Sequence, residues 1–357
     1  MKIVHVMAGA EHGGAETAFV DMCIAMHEAG EDVVVVTRKN ALRVKRLKDS
    51  GLRVHTLPFG SKLDFVTPLG LKAIFKRFKP DIVQCWMSRA AQMTPRWQAG
   101  FKCPQYITVG RLGSPYKLKY FKNLEYFVAL TPDLATHLIE GGIKQDHITQ
   151  IGNFAEVEPV ETPLQRSDYN TPDNAPLILG LGRLHPDKAF DTLIKVADKL
   201  KDIHVWIAGE GPQRAELEAL ISTLKLNDRV KLLGWRSDRA ALLKAADICA
   251  FISRNEGFGT VFVQSWAQQT PLVVCDSDGP RQFVRDGEDG LIAPIDDVEA
   301  IAAAINSLIQ NPQYAETLCE NGYQRYLDEF TKEQVVRRYL EFYKYIRDKE
   351  NLSAPVK

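Results

Sequence analysis

The residues best equipped for chemistry sit in two short stretches of the second half of the chain. Gly182-Arg183-Leu184-His185-Pro186-Asp187-Lys188 places two fixed cations five residues apart, just beyond the apolar run Leu177–Leu181. Glu256-Gly257-Phe258-Gly259-Thr260 follows an apolar strand and leads into an amphipathic helix carrying Val261, Phe262, Ser265 and Trp266. A strand–glycine turn–helix junction presents backbone N–H groups and the positive end of a helix dipole, which together attract phosphate. Arginine offers a planar fork and lysine a mobile point charge, a combination suited to adjacent phosphates. The carboxylate of Glu256 cannot hold phosphate, but it suits sugar hydroxyls through charge-assisted hydrogen bonds. Gly209-Glu210-Gly211-Pro212 repeats the strand–turn pattern, and Gly13-Gly14 does so near the start of the chain. A nucleotide-diphospho-sugar is the ligand that satisfies all of these groups. Fixed cations and N–H dipoles would stabilise the charge developing on the leaving nucleoside diphosphate, without a metal or other cofactor. The Asp-x-Asp at Asp276-Ser277-Asp278 lies among turn formers and reads as structural, not as a metal site.

Strands alternating with helices must position these loops. In the first half the strand candidates are Ile3–Met7, Asp32–Thr37, Arg53–Leu57, Asp81–Cys85, Tyr106–Val109, Tyr126–Leu130 and Ile148–Ile151. In the second they are Leu177–Leu181, His204–Ala208, Val230–Leu233, Ile248–Ile252, Leu272–Val274 and Leu291–Ile292. Such alternation predicts two α/β units, each a parallel sheet covered on both faces. Ligands of open α/β sheets bind beyond the carboxyl ends of the strands, where the loops above leave them. The spacing of Gly9, Gly13 and Gly14 does not fit Gly-x-Gly-x-x-Gly, which argues against a nicotinamide enzyme. The polar, proline-bearing stretch 156–176 marks the boundary. The expected domains are 1–160, a linker at 161–176, 177–328, and a terminal helical segment at 329–357.

The formal net charge is zero, so no bulk field favours nucleic acid, but the halves differ. Residues 1–165 carry 21 Lys and Arg against 16 Asp and Glu, leaving 24 against 29 for the remainder. Arg43, Lys45 and Arg46, then Lys72 and Lys76, then Lys117 and Lys119 form three basic clusters. They serve either a solvated face or an anionic acceptor or inner-membrane surface. The six cysteines show no paired spacing and read as buried thiols of a reducing compartment. No leader or membrane span is read from the sequence, so a cytoplasmic protein, peripheral on the inner membrane, is expected.

At this point the chain resembles the retaining glycosyltransferases of the GT-B fold, specifically glycosyltransferase family 4. The resemblance runs nearly end to end through Gly182-Arg183-Leu184…Lys188, Gly209-Glu210-Gly211-Pro212, Glu256-Gly257-Phe258-Gly259, Asp286-Gly287…Gly290-Leu291 and Gly13-Gly14-Ala15-Glu16. It implies two Rossmann-like domains facing across a cleft. It also implies that Arg183 and Lys188 hold the donor diphosphate, that Glu256 holds the donor sugar, and that Gly13 and Gly14 border the phosphates. Gly211, Gly257, Phe258, Gly259, Thr260 and Gln264 would complete the donor site. Three positions depart from the pattern. Gln264 stands where a second glutamate is expected eight residues after Glu256, Arg281 replaces a later glutamate, and Gly110-Arg111 replaces a first-domain histidine. The stretches 83–90 and 111–120 further resemble bacterial members that build lipopolysaccharide core. The implied reaction is retaining, metal-independent hexose transfer from a UDP-sugar or GDP-mannose to a glycolipid or oligosaccharide. A non-catalytic nucleotide-sugar-binding protein and a nucleotide-sugar epimerase are the alternatives.

Overall fold

The computed structural model of the chain describes residues 1–352 other than 12, 62, 157, 158 and 161. It divides into two compact units, Met1–Asn153 with Lys332–Lys357, and Phe154–Thr331. Both are parallel-sheet Rossmann-like units, the GT-B class expected.

The first unit contains β1 (Lys2–Met7), α1 (Gly14–Glu28), β2 (Asp32–Thr37), α2 (Ala41–Asp49), β3 (Arg53–Thr56) and α3 (Val66–Phe78). It continues through β4 (Ile82–Trp86), α4 (Met87–Met93), β5 (Ile107–Leu112), β6 (Tyr126–Ala129), α5 (Pro132–Glu140) and β7 (Ile148–Gln150). The seven strands lie in the order β3-β2-β1-β4-β5-β6-β7 and pair in parallel throughout. Val33, Val34, Val35 and Val36 of β2 are all buried, so the run is continuously apolar, as a strand covered on both faces requires.

The second unit contains β8 (Leu177–Leu181), α6 (Phe190–Lys199), β9 (His204–Ala208), α7 (Arg214–Thr223), β10 (Val230–Gly234), α8 (Arg239–Ala245) and β11 (Ile248–Phe251). Next come α9 (Thr260–Ala267), β12 (Leu272–Cys275), β13 (Leu291–Ala293), α10 (Val298–Gln310) and α11 (Pro312–Arg325). Its six parallel strands run β10-β9-β8-β11-β12-β13. On the α6 side of the core, Phe190, Leu193, Ile194 and Ala197 pack against strand residues such as Ile178, Val205 and Ile207.

The last helix, α12 (Lys332–Lys349), belongs to the first unit. Its buried stripe of Val335, Tyr339, Phe342, Tyr343 and Ile346 follows helical spacing. Arg111 Nε donates to Tyr339 Oη at 3.0 Å, Tyr343 Oη donates to Gln84 Oε1, and Arg338 donates to the Gln150 carbonyl at 2.7 Å. The expected segment 329–357 therefore starts a few residues early, because Tyr326–Phe330 form a π-helical turn of the second unit. Residues 353–357 lie outside the described ones.

The stretch expected as a linker, 161–176, is instead strapped to the second unit. Arg166 donates to the carbonyls of Ala245 (2.7 Å) and Ala175 (3.1 Å) and pairs with Asp247 at 2.9 Å, while Trp206 Nε1 donates to Thr171 Oγ1 at 2.9 Å. Polar, proline-bearing composition marked an irregular segment, and such a segment can be fixed by side-chain bonds as firmly as an element. Residues 157, 158 and 161 of this region lie outside the described ones.

Candidate donor site of the second unit

In the order β10-β9-β8-β11-β12-β13 the winding reverses between β8 and β11. Loops leaving adjacent strands at such a reversal diverge and open a crevice at their carboxyl ends. The loop after β8 is the Arg183–Lys188 stretch, and the loop after β11 carries Glu256. Residues distant in sequence therefore converge at the crevice where open sheets of this kind bind ligands.

The convergence is direct. Lys188 Nζ donates to Glu256 Oε2, and both side chains are about four-fifths buried, 22% and 18% exposed. The ammonium also lies 5.4 Å from the Phe251 ring centroid, a cation–π contact. Arg183 is exposed on the same loop. With Gly182, Gly209, Trp235, Arg239 and Gln264 it lines a cavity of about 200 Å³.

The glycines explain how these loops are held. A Cβ on Gly209 would lie 1.7 Å from the Gly182 carbonyl oxygen, and one on Gly211 2.3 Å from that of Leu184. The loop after β9 thus packs backbone to backbone on the Arg183 loop, with Leu184 N–H donating to the Glu210 carbonyl at 3.0 Å. That close packing gives Gly211 a supporting place in the fold beside the ligand contact expected of it. Gly259 adopts φ +84° at the start of α9, and a Cβ there would lie 2.8 Å from Glu256 Cγ. The helix has no side-chain cap; Phe262 N–H donates to the Gly259 carbonyl at 3.3 Å, and the N–H groups of Thr260 and Val261 ahead of it are the ones that can meet a ligand. Gly257 is exposed at the turn, Thr260 opens the helix, and Gln264 lies one turn on, facing the cavity.

One expectation changes. The Phe258 side chain is buried among Phe262 (5.1 Å), Phe283 (4.9 Å) and Phe330 (6.4 Å), so only its backbone is available at the turn. An aromatic beside a glycine turn is apolar enough to be drawn into the core.

Arg254 was not singled out from the sequence, yet it ties the two loops together. Its guanidinium donates to Asp296 (2.7 Å), Asp191 (2.8 Å), Thr192 (3.1 Å) and the Pro186 carbonyl (2.7 Å), and its N–H donates to the Asp187 carbonyl at 2.7 Å. Its hydrogen bonds to Asp296 and Asp191 push its pKa up, and the Arg254 bonds hold Asp296 below the ordinary carboxylate value. Its acidic partners lie 42 and 63 residues away in sequence, so no local pattern announces them. Trp235, 72% exposed at the cavity, also lacked a motif. Asp276 and Asp278 are already engaged. Asp276 Oδ1 accepts from Ile295 N–H at 2.9 Å, and Asp278 lies 3.4 Å from Arg281.

In the first unit, Gly13 caps α1 without a side-chain bond and Gly14 begins the helix. A Cβ on Gly13 would lie 2.3 Å from Glu16 Oε2, whereas one on Gly14 meets nothing within 4 Å. The basic clusters separate. Arg43, expected at an anionic surface, is instead 6% exposed, and burial lowers its pKa. It donates to Thr37 Oγ1 at 3.0 Å and to the Ala10 carbonyl, while Glu16 Oε1 accepts the Ala10 N–H at 2.6 Å. The Ala10 peptide is thus held from both sides by buried charged groups. Lys45 pairs with Asp49 and Arg46 with Asp21, both at 2.6 Å. Lys72, Lys76, Lys117 and Lys119 are exposed. Arg111, which stands at the position of the missing histidine, is buried with its guanidinium 4.3 Å from the Trp86 ring centroid.

Comparison with known proteins agrees with this architecture. A family model described as "Glycosyl transferases group 1" matches residues 161–325, and one described as "Glycosyl transferase 4-like domain" matches 13–153. The lipopolysaccharide core biosynthesis glycosyltransferase LpsE of Rhizobium meliloti is 32% identical over 96% of this chain and 98% of its own length. Among solved structures, a glycosyltransferase from Rickettsia africae superposes with a TM-score of 0.84 at 20% identity, covering 97% of this chain and 98% of that one. Anabaena HepE in complex with UDP gives 0.80 at 19% identity, covering 96% and 99%.

Proposed function

This chain belongs to the group 1 glycosyltransferases and is a glycosyltransferase, and we propose that it moves a hexose from a nucleotide-diphospho-sugar to a glycolipid of the lipopolysaccharide core. The meeting of Lys188 with Glu256 at the winding reversal, beside the Arg183 cavity, carries the reading. Arg183, Lys188 and the open N–H groups of α9 hold the diphosphate, and Glu256 accepts hydrogen bonds from the sugar. The cavity lined by Trp235 and Gln264 takes the nucleoside, the indole offering a flat face to the base and the amide reaching ribose. HepE was solved with UDP, and the LpsE relative is a core biosynthesis enzyme, which favours a UDP-sugar and a core acceptor.

The reaction proceeds with retention and without a metal. The bond from the anomeric carbon to the β-phosphate oxygen breaks, and charge builds on the diphosphate against Arg183 and Lys188. The acceptor oxygen attacks the same face, and its proton passes to the departing phosphate oxygen. Asp276 already accepts a backbone N–H and Asp278 faces Arg281, which leaves the Asp-x-Asp poorly suited to a cation.

A thermal-shift panel of UDP-glucose, UDP-galactose and GDP-mannose, with and without EDTA, tests the donor reading. A ligand at a hundred times its Kd stabilises the fold by about 2.7 kcal/mol. Transfer to a truncated core acceptor, with the product's anomeric configuration read by NMR, tests the chemistry. No shift with any nucleotide sugar sinks the donor site, an inverted product sinks retention, and activity abolished by EDTA sinks metal independence.

A further inference from the structure

The first unit exposes an apolar ridge that its own fold does not use. Leu63 is 79% exposed, Phe65 70%, Val66 61% and Leu69 65%, four large apolar side chains within seven residues. Phe65 caps α3, so Phe65 and Leu69 stand one turn apart on one face. That face continues through Lys72 and Lys76, both exposed, and α3 contains no acidic residue. A single helix surface therefore grades from apolar at its start to cationic at its end. Asp64, beside the ridge, is committed to the turn, accepting from Gly60 N–H (2.6 Å) and from Thr67 N–H (2.9 Å) and Oγ1 (2.6 Å).

The location has a second meaning. The ridge follows β3, so it rises from the same carboxyl edge of the sheet as the glycine loop that follows β1. Arg38 joins the two, donating to the Gly9 carbonyl at 3.3 Å and to the Phe59 carbonyl at 2.7 Å. Arg89 fixes the other end, donating to the Ser61 carbonyl at 2.8 Å. The ridge is thus rooted in the framework of the first unit's loop edge.

We propose that this surface seats on an anionic lipid bilayer, with Leu63, Phe65, Val66 and Leu69 entering the acyl boundary and Lys72 and Lys76 meeting lipid phosphates. An apolar tip backed by cations matches a bilayer interface, where hydrocarbon lies just beneath a layer of negative headgroups. A protein partner complementary to the ridge would have no reason to require the charge gradient along it. The proposal extends the glycolipid-acceptor reading, yet its test uses no donor or acceptor, so either fails alone.

The test floats the full chain with vesicles of phosphatidylethanolamine and phosphatidylglycerol, or of phosphatidylcholine alone. The chain should bind the anionic vesicles, and more weakly in high salt. Phe65→Ser/Leu69→Ser and Lys72→Ala/Lys76→Ala should each weaken binding by at least about tenfold while melting like the wild type. Phe65→Trp should gain emission that brominated lipid quenches. Absence of vesicle binding, equal binding by the variants, or a chain that self-associates through the ridge and ignores vesicles would overturn the proposal.

Discussion

Lys188 and Glu256, 68 residues apart in sequence, share one hydrogen bond at the carboxyl edge of the second sheet. Each neutralises the other, and neither is buried enough to be inaccessible to a ligand. A diphosphate arriving beside Lys188 would compete with Glu256 for its ammonium, releasing the carboxylate toward the sugar that the diphosphate carries. On the proposed function, the pair is a preformed site held closed by its own charges.

From this we expect Lys188→Ala and Glu256→Ala each to lower kcat strongly. Losing a charge-assisted contact to the leaving group costs about 2–4 kcal/mol of transition-state stabilisation, or roughly 30- to 1000-fold. Glu256→Ala should lower kcat at least about 100-fold. Because the residues touch, the double variant should fall short of the product of the single losses. Steady-state transfer by all three variants decides this. Wild-type turnover in either single variant removes the pair from the reaction.

Arg254 should matter for rigidity more than for chemistry. Arg254→Ala removes the bonds that tie the Glu256 loop to Asp191, to Asp296 and to the Pro186 carbonyl of the Lys188 loop, with an expected loss of about 1–2 kcal/mol given their partial exposure. The sign with pH follows from Asp296, whose carboxyl is depressed below its ordinary 3.8, chiefly by Arg254. Stability from such a group is in place above its unfolded value and lost as pH falls through the folded one. The Tm gap between wild type and Arg254→Ala should therefore shrink from about pH 4 toward pH 2. A gap that widens on acidification would contradict the assignment.

What could be read from the sequence, and what could not, separates along a physical line. Continuous apolar runs such as Val33–Val36 and Leu177–Leu181 reveal strands because burial on both faces leaves no polar position. Glycine turns after those runs reveal the loops, since backbone conformation and close approach are local demands. Side-chain partnerships across the fold are not local. Nothing near Arg43 in sequence shows that Thr37 and the Ala10 carbonyl will swallow it, and nothing near Arg166 shows that Ala245 and Asp247 will hold the supposed linker. A basic run reads as one patch, whereas Arg43, Lys45 and Arg46 of α2 split into a buried brace and two ion pairs.

That split is itself testable. Arg43→Ala leaves the Ala10 carbonyl and the Thr37 hydroxyl without their donor, and should cost about 1–3 kcal/mol. Vesicle binding should stay within about twofold of wild type, in contrast to Lys72→Ala/Lys76→Ala, because a buried guanidinium cannot reach lipid phosphate. Denaturant melts alongside flotation separate the two roles. A stable Arg43→Ala chain that no longer floats would return the residue to the surface cluster.

Gln264 is the position where motif and geometry have to be weighed together. It lies one helical turn after Thr260 and lines the same cavity as Arg183 and Trp235, so it faces the site although the expected carboxylate is absent. A glutamine can accept one hydroxyl hydrogen bond and donate another, where glutamate would only accept. The difference is that between a neutral bond, about 0.5–1.5 kcal/mol, and a charged one, about 1.5–3. The penalty is therefore near 1 kcal/mol, about five- to tenfold in donor affinity, and should fall on KM more than on kcat. A carboxylate at 264 would also stand in the cavity that Arg183 lines, where it could pair with the guanidinium and draw it from the diphosphate. The two effects oppose, so Gln264→Glu should leave activity within about tenfold of wild type in either direction. Donor titrations of wild type, Gln264→Glu and Gln264→Ala with a fixed acceptor measure this directly. If the native chain transfers nothing and Gln264→Glu restores turnover, glutamine at this site has converted a transferase fold into a binding protein.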